Sequence, residues 1–353
     1  MMETSFARSS QVVGTPLAGH EAGQLFKRIN TEKDVVNFRT LSPAYKDVQI
    51  YIDALCDLIQ GTGSKTLNHK YVLKEETCLK CSKFFHRLGK DCDSIDLTQP
   101  KWAATLRFGH VAFRDWYDGM KDQCKEFIFK ELTPESDTQL KEELQAYLTE
   151  SFGNRMRIDY GTGHELNFIL FSMGLMHLMD IKSNPDSQTI DSGDKLSVSP
   201  DTLKSRVDKY GWDILALYAH DYLRLCRNIQ KKFRLEPAGS RGVYNMDDFQ
   251  FLPFLFGVAQ LVDVKYVSCN SFYDYEQVDM WKNDFIFFEA IDYILKNKRG
   301  PFNEHSYTLW CFTSLNSWAN ILRKIKAKFI DDVLTPFPII QHLLFGKYIL
   351  RWE

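Results

Sequence analysis

The 353-residue sequence has almost no net charge: 44 lysines and arginines face 46 aspartates and glutamates, a formal −2 with histidine neutral. That balance removes the bulk electrostatic case for a nucleic-acid or membrane-surface partner. The start of the chain has no basic segment followed by an apolar stretch, so no secretory signal is expected. The longest apolar run, Leu166 to Met179, is broken by Asn167, Ser172 and His177 and falls short of a membrane span; it reads as a buried core helix. Alternating apolar runs bounded by turns are scarce, which excludes a sheet-based fold and leaves the all-α class. No HExxH, GxSxG, kinase or Walker set is present. GTGSKT, Gly61 to Thr66, imitates a phosphate loop, but Ser64 stands where glycine must precede Lys65, and no strand leads in. The eight cysteines are scattered, and the single CxxC, Cys78 with Cys81, lacks the second pair or the histidine spacing of a zinc site. Reduced thiols in a cytoplasmic protein, also nuclear, are the expectation.

What is present is helical patterning over an ordinary globular composition, 44% hydrophobic and 25% charged, long enough to bury a substantial core. Residues 1–22, rich in Ser, Gly, Ala and Thr, read as a disordered tail ahead of one domain spanning 23–353. Ser42-Pro43 is a start signal for a helix whose Val48, Tyr51, Ile52, Leu55 and Ile59 share one face and which stops at Gly61. Further helices are predicted over Thr77–Leu88, Ala103–Phe129, Ser136–Thr149 (Asp137 in its first turn), Leu203–Leu235, Asn283–Asn297 and Trp318–Phe329, with an irregular closing segment over Thr335–Gly346. The stretch 182–202, polar and rich in Ser and Asp, reads as a mobile insertion. Lys231, Lys232 and Arg234 sit where cations complement a helix end. No internal repeat is visible.

Two loops could carry chemistry. Gly161 and Gly163 bracket Thr162 and lead straight into the buried run, a tight turn feeding a helix start. Such a start offers N–H groups and a positive dipole end to an anion, with Arg157 as a planar donor and Thr162 as a hydroxyl. The same residues also suit a plain turn in which Asp159 and Glu165 cap the helix. In PAGSRGVYNMDD the carboxylates of Asp247 and Asp248 close a folded loop. They could hold a hard cation together with phosphate and water, or simply start the helix through Phe249–Phe256, where Pro253 argues against a central strand. His164 reads as a hydrogen-bonded structural histidine, and His305-Ser306 as a helix cap.

RIDYGTGHE (Arg157–Glu165) resembles the signature of the phosphotyrosyl phosphatase activator (PTPA) family, activators of type-2A serine/threonine phosphatases. EPAGSRGVYNMDDFQFLPF (Glu236–Phe254), GPFNEHS (Gly300–Ser306) and FPIIQHLLFG (Phe337–Gly346) agree in order and spacing, with weaker similarity through RFGHVAFRDWY (Arg107–Tyr117) and SPAYKDVQIYI (Ser42–Ile52). The resemblance implies one helical domain with core, lid and linker subregions, and an activator of the phosphatase catalytic subunit with peptidyl-prolyl isomerase activity. It implies Mg·ATP at a site composite with the phosphatase. Arg157, Thr162 and Gly163 would lie near the phosphates, Gln341 and His342 would add contacts, and Gly242 and Asp248 would hold the metal. A prolyl peptide is the implied substrate, and a homodimer around the peptide is left open. The rival is a non-catalytic, chaperone-like clamp for the phosphatase. The sequence departs from the family pattern at Arg241 (usually Gln), Tyr244-Asn245 (usually Trp-Gly) and His110 (Asn in relatives).

Overall fold

The computed structural model describes residues 25–62, 71–102, 109–133, 136–183, 199–239, 244–270 and 272–352. The expectations for the 1–22 tail, for most of the 182–202 insertion, for Ser64-Lys65 and for Arg241 and Gly242 lie outside these residues. The described chain is helical, and its β-strands are two residues long: β1 (Phe26–Lys27), β2 (Asp159–Tyr160), β3 (Glu236–Pro237) and β4 (Leu344–Phe345). None of the described helices is long and apolar enough to cross a membrane.

Short helix α1 (Glu32–Thr40) opens on a capping box between Thr31 and Asp34. In α2 (Pro43–Ile59) the predicted face is buried, but Ser42 Oγ does not cap; it donates to the carbonyl of Arg351 at 2.9 Å and ties the helix start to the far end of the chain. The helix predicted over 77–88 runs longer, as α3 (Glu76–Ser94), and buried Asp213 accepts the N–H groups of Lys74 and Glu75 at its entry. The described part of the Ala103–Phe129 prediction starts later, as α4 (Ala112–Glu126), since His110 Nδ1 turns back to accept Ala112 N–H at 3.2 Å. A wider π-type turn, Phe127–Leu132, extends it. Asp137 is not inside the first turn of α5 (Thr138–Glu150); it is the N-cap, accepting from Gln139 N–H at 2.7 Å.

The centre is α6 (Thr162–Ser183), buried on every side from His164 to Met179, as a helix apolar all round must be. It packs against α5. The long predicted helix is α7 (Pro200–Ala216), a π-type turn Leu217–Tyr222, and α8 (Leu223–Phe233), ended by Arg234 in the left-handed region at φ 50°. Lys232 Nζ donates to the Asp93 carbonyl at 2.7 Å, the structural role expected of that basic cluster. α2 lies on α7, and α3 on α8. In the π turn Tyr222 stacks on Phe168 of α6, centroids 3.9 Å apart, and its hydroxyl donates to the Ser151 carbonyl at 2.8 Å.

The second half is built on α9 (Leu252–Leu261), also wholly buried, with α10 (Tyr275–Trp281), α11 (Ile286–Asn297), α12 (Phe302–His305), α13 (Tyr307–Phe312), α14 (Trp318–Phe329) and α15 (Phe337–Ile340). α11 begins three residues later than expected, where Gln260 Oε1 accepts Ile286 N–H at 3.1 Å. α11, α14 and α2 pack on α9, so one hydrophobic cluster runs from Ile29 to Leu350. All eight cysteines are free, and all but Cys311 are buried; burial pushes the Cys78 and Cys81 thiols up, so they stay protonated within the α3 core.

The chain closes on itself. β1 and β4 pair antiparallel, Phe26 opposite Phe345. The buried Glu143 carboxylate accepts N–H groups from Lys347, Tyr348 and Ile349 at 2.6, 2.9 and 2.8 Å. Gly346 is required there because a Cβ would run into that carboxylate. Glu143→Ala leaves three N–H donors without their acceptor; a loss of about 3 kcal/mol is expected at roughly 1 kcal/mol per bond. Urea unfolding measures it, and faster amide exchange confined first to 347–349 locates it.

Candidate functional site

The RIDYGTGHE turn is held by its own backbone. Asn154 Oδ1 accepts the N–H groups of Met156 and Arg157, both at 3.0 Å, and Ile158 is forced into the left-handed region at φ 54°. A buried β-branched residue there is strained. The strain is held by β2, which pairs parallel with β3, placing Asp159 opposite Glu236 and Tyr160 opposite Pro237. This tiny sheet joins the two signature loops. Gly161 permits the approach, since a Cβ would lie 2.8 Å from the Ala238 carbonyl oxygen.

Immediately after this sheet α6 begins, and its first turn lines a cleft of about 350 Å³. Around the cleft stand Arg157, Thr162, Gly163 and His342 together with Asp248, so five of the expected site residues converge. Gln341 stands beside it, its Nε2 donating to the Pro338 carbonyl at 3.3 Å. The apolar walls are Met246, Phe251, Pro336, Pro338 and Ile339.

Charge is the surprise. Five carboxylates, Glu150, Asp159, Asp247, Asp248 and Asp332, line the cleft against one arginine. That arginine is already paired: Arg157 Nε meets Asp159 Oδ2 at 2.6 Å, with about half of its side chain left in solvent. Neither histidine compensates. His164 Nδ1 is bonded to the Glu150 carbonyl at 2.7 Å, and burial lowers its basicity. His342 is likewise shifted down, by desolvation first and then by Arg157 and Lys27. Two buried polar atoms of the lining residues, Gln250 Nε2 and Asp159 Oδ1, make no hydrogen bond within the protein, the latter lying 4.0 Å from His164 Nε2. Gln250, Asp332 and Glu150 were not foreseen: Gln250 lies within the second signature segment but was not singled out there, while Asp332 and Glu150 lie outside the motifs and only folding brings them in.

The first turn of α6 and the guanidinium of Arg157 are the anion-binding groups of the lining. A preformed metal site does not: among the described residues no three His, Cys, Asp or Glu side chains are placed to hold a cation, and Gly242 lies outside them. Asp248 Oδ2 is instead bonded to Lys298 Nζ at 2.9 Å.

Asp247 and Asp248 do not start the next helix, contrary to that reading of the sequence. α9 begins at Leu252, and its cap comes from afar: Glu165 Oε2 accepts Phe251 N–H at 2.6 Å and Leu252 N–H at 3.0 Å, while Oε1 accepts the Tyr218 hydroxyl at 2.6 Å. Glu165 therefore caps α9 rather than its own helix. Asp247 Oδ2 accepts Phe249 N–H at 3.2 Å. His305 Nδ1 meets Ser306 Oγ at 2.9 Å, so Ser306 provides no side-chain cap for α13.

A family model described as Phosphotyrosyl phosphate activator (PTPA) protein matches residues 25–352. A serine/threonine-protein phosphatase 2A activator of Drosophila melanogaster is 36% identical over 307 residues, covering 87% of this chain and 68% of its own. A serine/threonine-protein phosphatase 2A activator 2 of Yarrowia lipolytica is 32% identical, covering 92% and 81%. The crystal structure of the PP2A phosphatase activator Ypa1 superposes with a TM-score of 0.75 over 96% of this chain and 98% of that one, at 23% identity, and has the same fold.

Burial raises the Glu165 carboxyl to about 7 from 4.5, against the lowering effect of its three donors. The folded chain thus holds that proton more tightly than the unfolded chain. The resulting stability is complete below about 4.5 and is lost as pH rises to about 7. In thermal melts the margin of wild type over Glu165→Gln is expected to shrink from pH 5 to pH 7.5. Glu165→Ala, which strands three buried donors, is expected to cost about 3 kcal/mol at pH 5, and its margin shrinks towards pH 7.5 in step with that of Glu165→Gln.

Proposed function

Because the chain belongs to the phosphotyrosyl phosphatase activator family, we propose that it activates a type-2A serine/threonine protein phosphatase by acting on the catalytic subunit. In this reading Mg·ATP is held at a site the two proteins build together, and the chain carries peptidyl-prolyl cis–trans isomerase activity toward a prolyl peptide.

The observation that carries the composite site is the charge of the cleft. A pocket of this size suits a small ligand, and the α6 start with Arg157 and Thr162 suits a phosphate. Of the five carboxylates, Asp159 is paired with Arg157, Asp248 with Lys298 and Asp332 with Lys328, so the lining offers an incoming polyanion no uncommitted cation. Positive charge must come with the ligand or from the partner. Mg²⁺ supplies charge neutralisation at the phosphates, with few protein oxygens needed. Arg157 orients the anion through its remaining guanidinium nitrogens, the first turn of α6 offers N–H groups, and Gln250 Nε2 is a donor without a protein partner.

The isomerase half rests on the walls. Met246, Phe251, Pro338 and Ile339 form an apolar side to the cleft. Rotation about an X–Pro bond needs no nucleophile, only a setting that desolvates the amide and tolerates its twisted form. The absence of a catalytic triad from the sequence is consistent with that chemistry.

Inactive type-2A catalytic subunit incubated with this protein is expected to recover activity only with Mg·ATP. Arg157→Ala is expected to weaken the nucleotide dependence at least ten-fold, raising the ATP concentration needed. Activation unchanged by Arg157→Ala and Asp248→Ala at all ATP concentrations would remove the nucleotide from the mechanism. A prolyl-peptide assay on the chain alone separates the isomerase from a clamp, which needs no turnover.

A further inference from the structure

A second cavity shares none of its lining residues with the cleft. It is small, about 20 Å³, with room for one water-sized species, and it lies where the end of the chain meets α2, α6 and α7. His177 of α6 lines it; the residue is 8% exposed, and neither ring nitrogen has a hydrogen-bond partner. Two guanidinium groups line the same space. Arg206 of α7 commits Nε to Asp180 Oδ2 at 3.0 Å, and Arg351 commits one terminal nitrogen to Asp47 Oδ2 of α2 at 3.3 Å. Their other nitrogens bond no acceptor among the described residues. Met173, Leu203 and Ile349 supply apolar sides.

We propose that this cavity is a binding site for a small monovalent anion, chloride by its size, held by the remaining guanidinium nitrogens of Arg206 and Arg351 and by a ring N–H of His177. A neutral imidazole always carries one N–H, and a buried donor left unbonded is costly. Two guanidiniums against the one carboxylate of the lining, Asp47, leave the space with an excess of donors and of positive charge. A water would answer the ring alone, whereas an anion answers the ring and both arginines. The bound ion would join α6 and α7 to Arg351, adding to the hold that Glu143 has on residues 347–349. It would also couple to protons. Burial first, then Arg206, lower the ring to about 4; Asp180 opposes them and Arg351 adds to them. A negative charge beside the ring raises it again, so by reciprocity a lower pH tightens the anion.

The test is chloride NMR on the full chain, reading the line width of the free ion while gluconate holds ionic strength constant. Wild type is expected to broaden the line saturably, and Arg206→Gln and Arg351→Gln each to weaken chloride by about ten-fold. Wild type is expected to bind about three-fold more tightly at pH 5.5 than at pH 7.5, and His177→Gln to bind equally at both. No saturable broadening by wild type, or broadening unchanged when Arg206→Gln and Arg351→Gln are combined, overturns the proposal and leaves a water in the cavity. A pH dependence that survives His177→Gln overturns the part given to the ring. Should circular dichroism show the arginine variants unfolded, the wild-type chain decides alone. Its thermal midpoint is expected to rise as chloride replaces gluconate, and a flat midpoint overturns the site. Neither nucleotide nor phosphatase is present, so the result stands apart from the activator reading.

Discussion

The molecule turns on one carboxylate. Glu165 leaves the first turn of its own helix to occupy the N-terminus of another, so the turn that lines the cleft and the helix that supports the second half are fastened at one point. Taking a carboxylate wholly out of water is costly, and three hydrogen bonds, two of them to a helix start, offset the cost. The same device recurs. Asp213 gathers the entry to α3, accepting from the Tyr71 hydroxyl at 2.6 Å and from the backbone of Lys74 and Glu75, while Glu143 gathers 347–349. In a fold made of helices whose ends are buried, orphaned N–H groups must find acceptors. Here Glu165 and Asp213 supply them at two helix starts, and Glu143 does the same for the non-helical bends that follow β4.

The class and most helices could be read from periodicity. Trp318–Phe329 has the limits expected, and the apolar run from Leu166 is the core helix. What periodicity missed were the boundaries set by side chains from elsewhere: His110 in front of α4, Gln260 in front of α11, Glu165 in front of α9. A local start signal such as Asp247-Asp248 has no way of showing that a remote carboxylate has already claimed the helix end. The cleft was legible in part for the same reason. Arg157, Thr162 and Gly163 belong to one contiguous motif, and His342 and Asp248 belong to others; the resemblance grouped them, and the fold brings them around one space. Asp332 and Glu150, which also line it, sit in ordinary-looking helical sequence. The partnership of Lys298 with Asp248 joins residues fifty positions apart, and neither residue type is distinctive alone.

Electrostatics then shapes function. A cleft built for an anion would ordinarily gather lysines and arginines. This one gathers carboxylates around a strained turn whose single arginine is held by its neighbour Asp159. On the activator reading proposed above, cations brought by the ligand or the phosphatase would answer that acidity.

The pairing of Phe26 with Phe345, and the grip of Glu143 on the backbone near residue 348, also govern when the protein can become itself. Synthesis proceeds from the other end, at about 5–20 residues per second. Throughout that time α5 carries a buried-to-be carboxylate without its three donors, and the first strand has no neighbour. Neither can be completed before residues 344–349 have emerged. Until then the two-residue edge of β1 has no partner and the Glu143 carboxylate lacks its three donors.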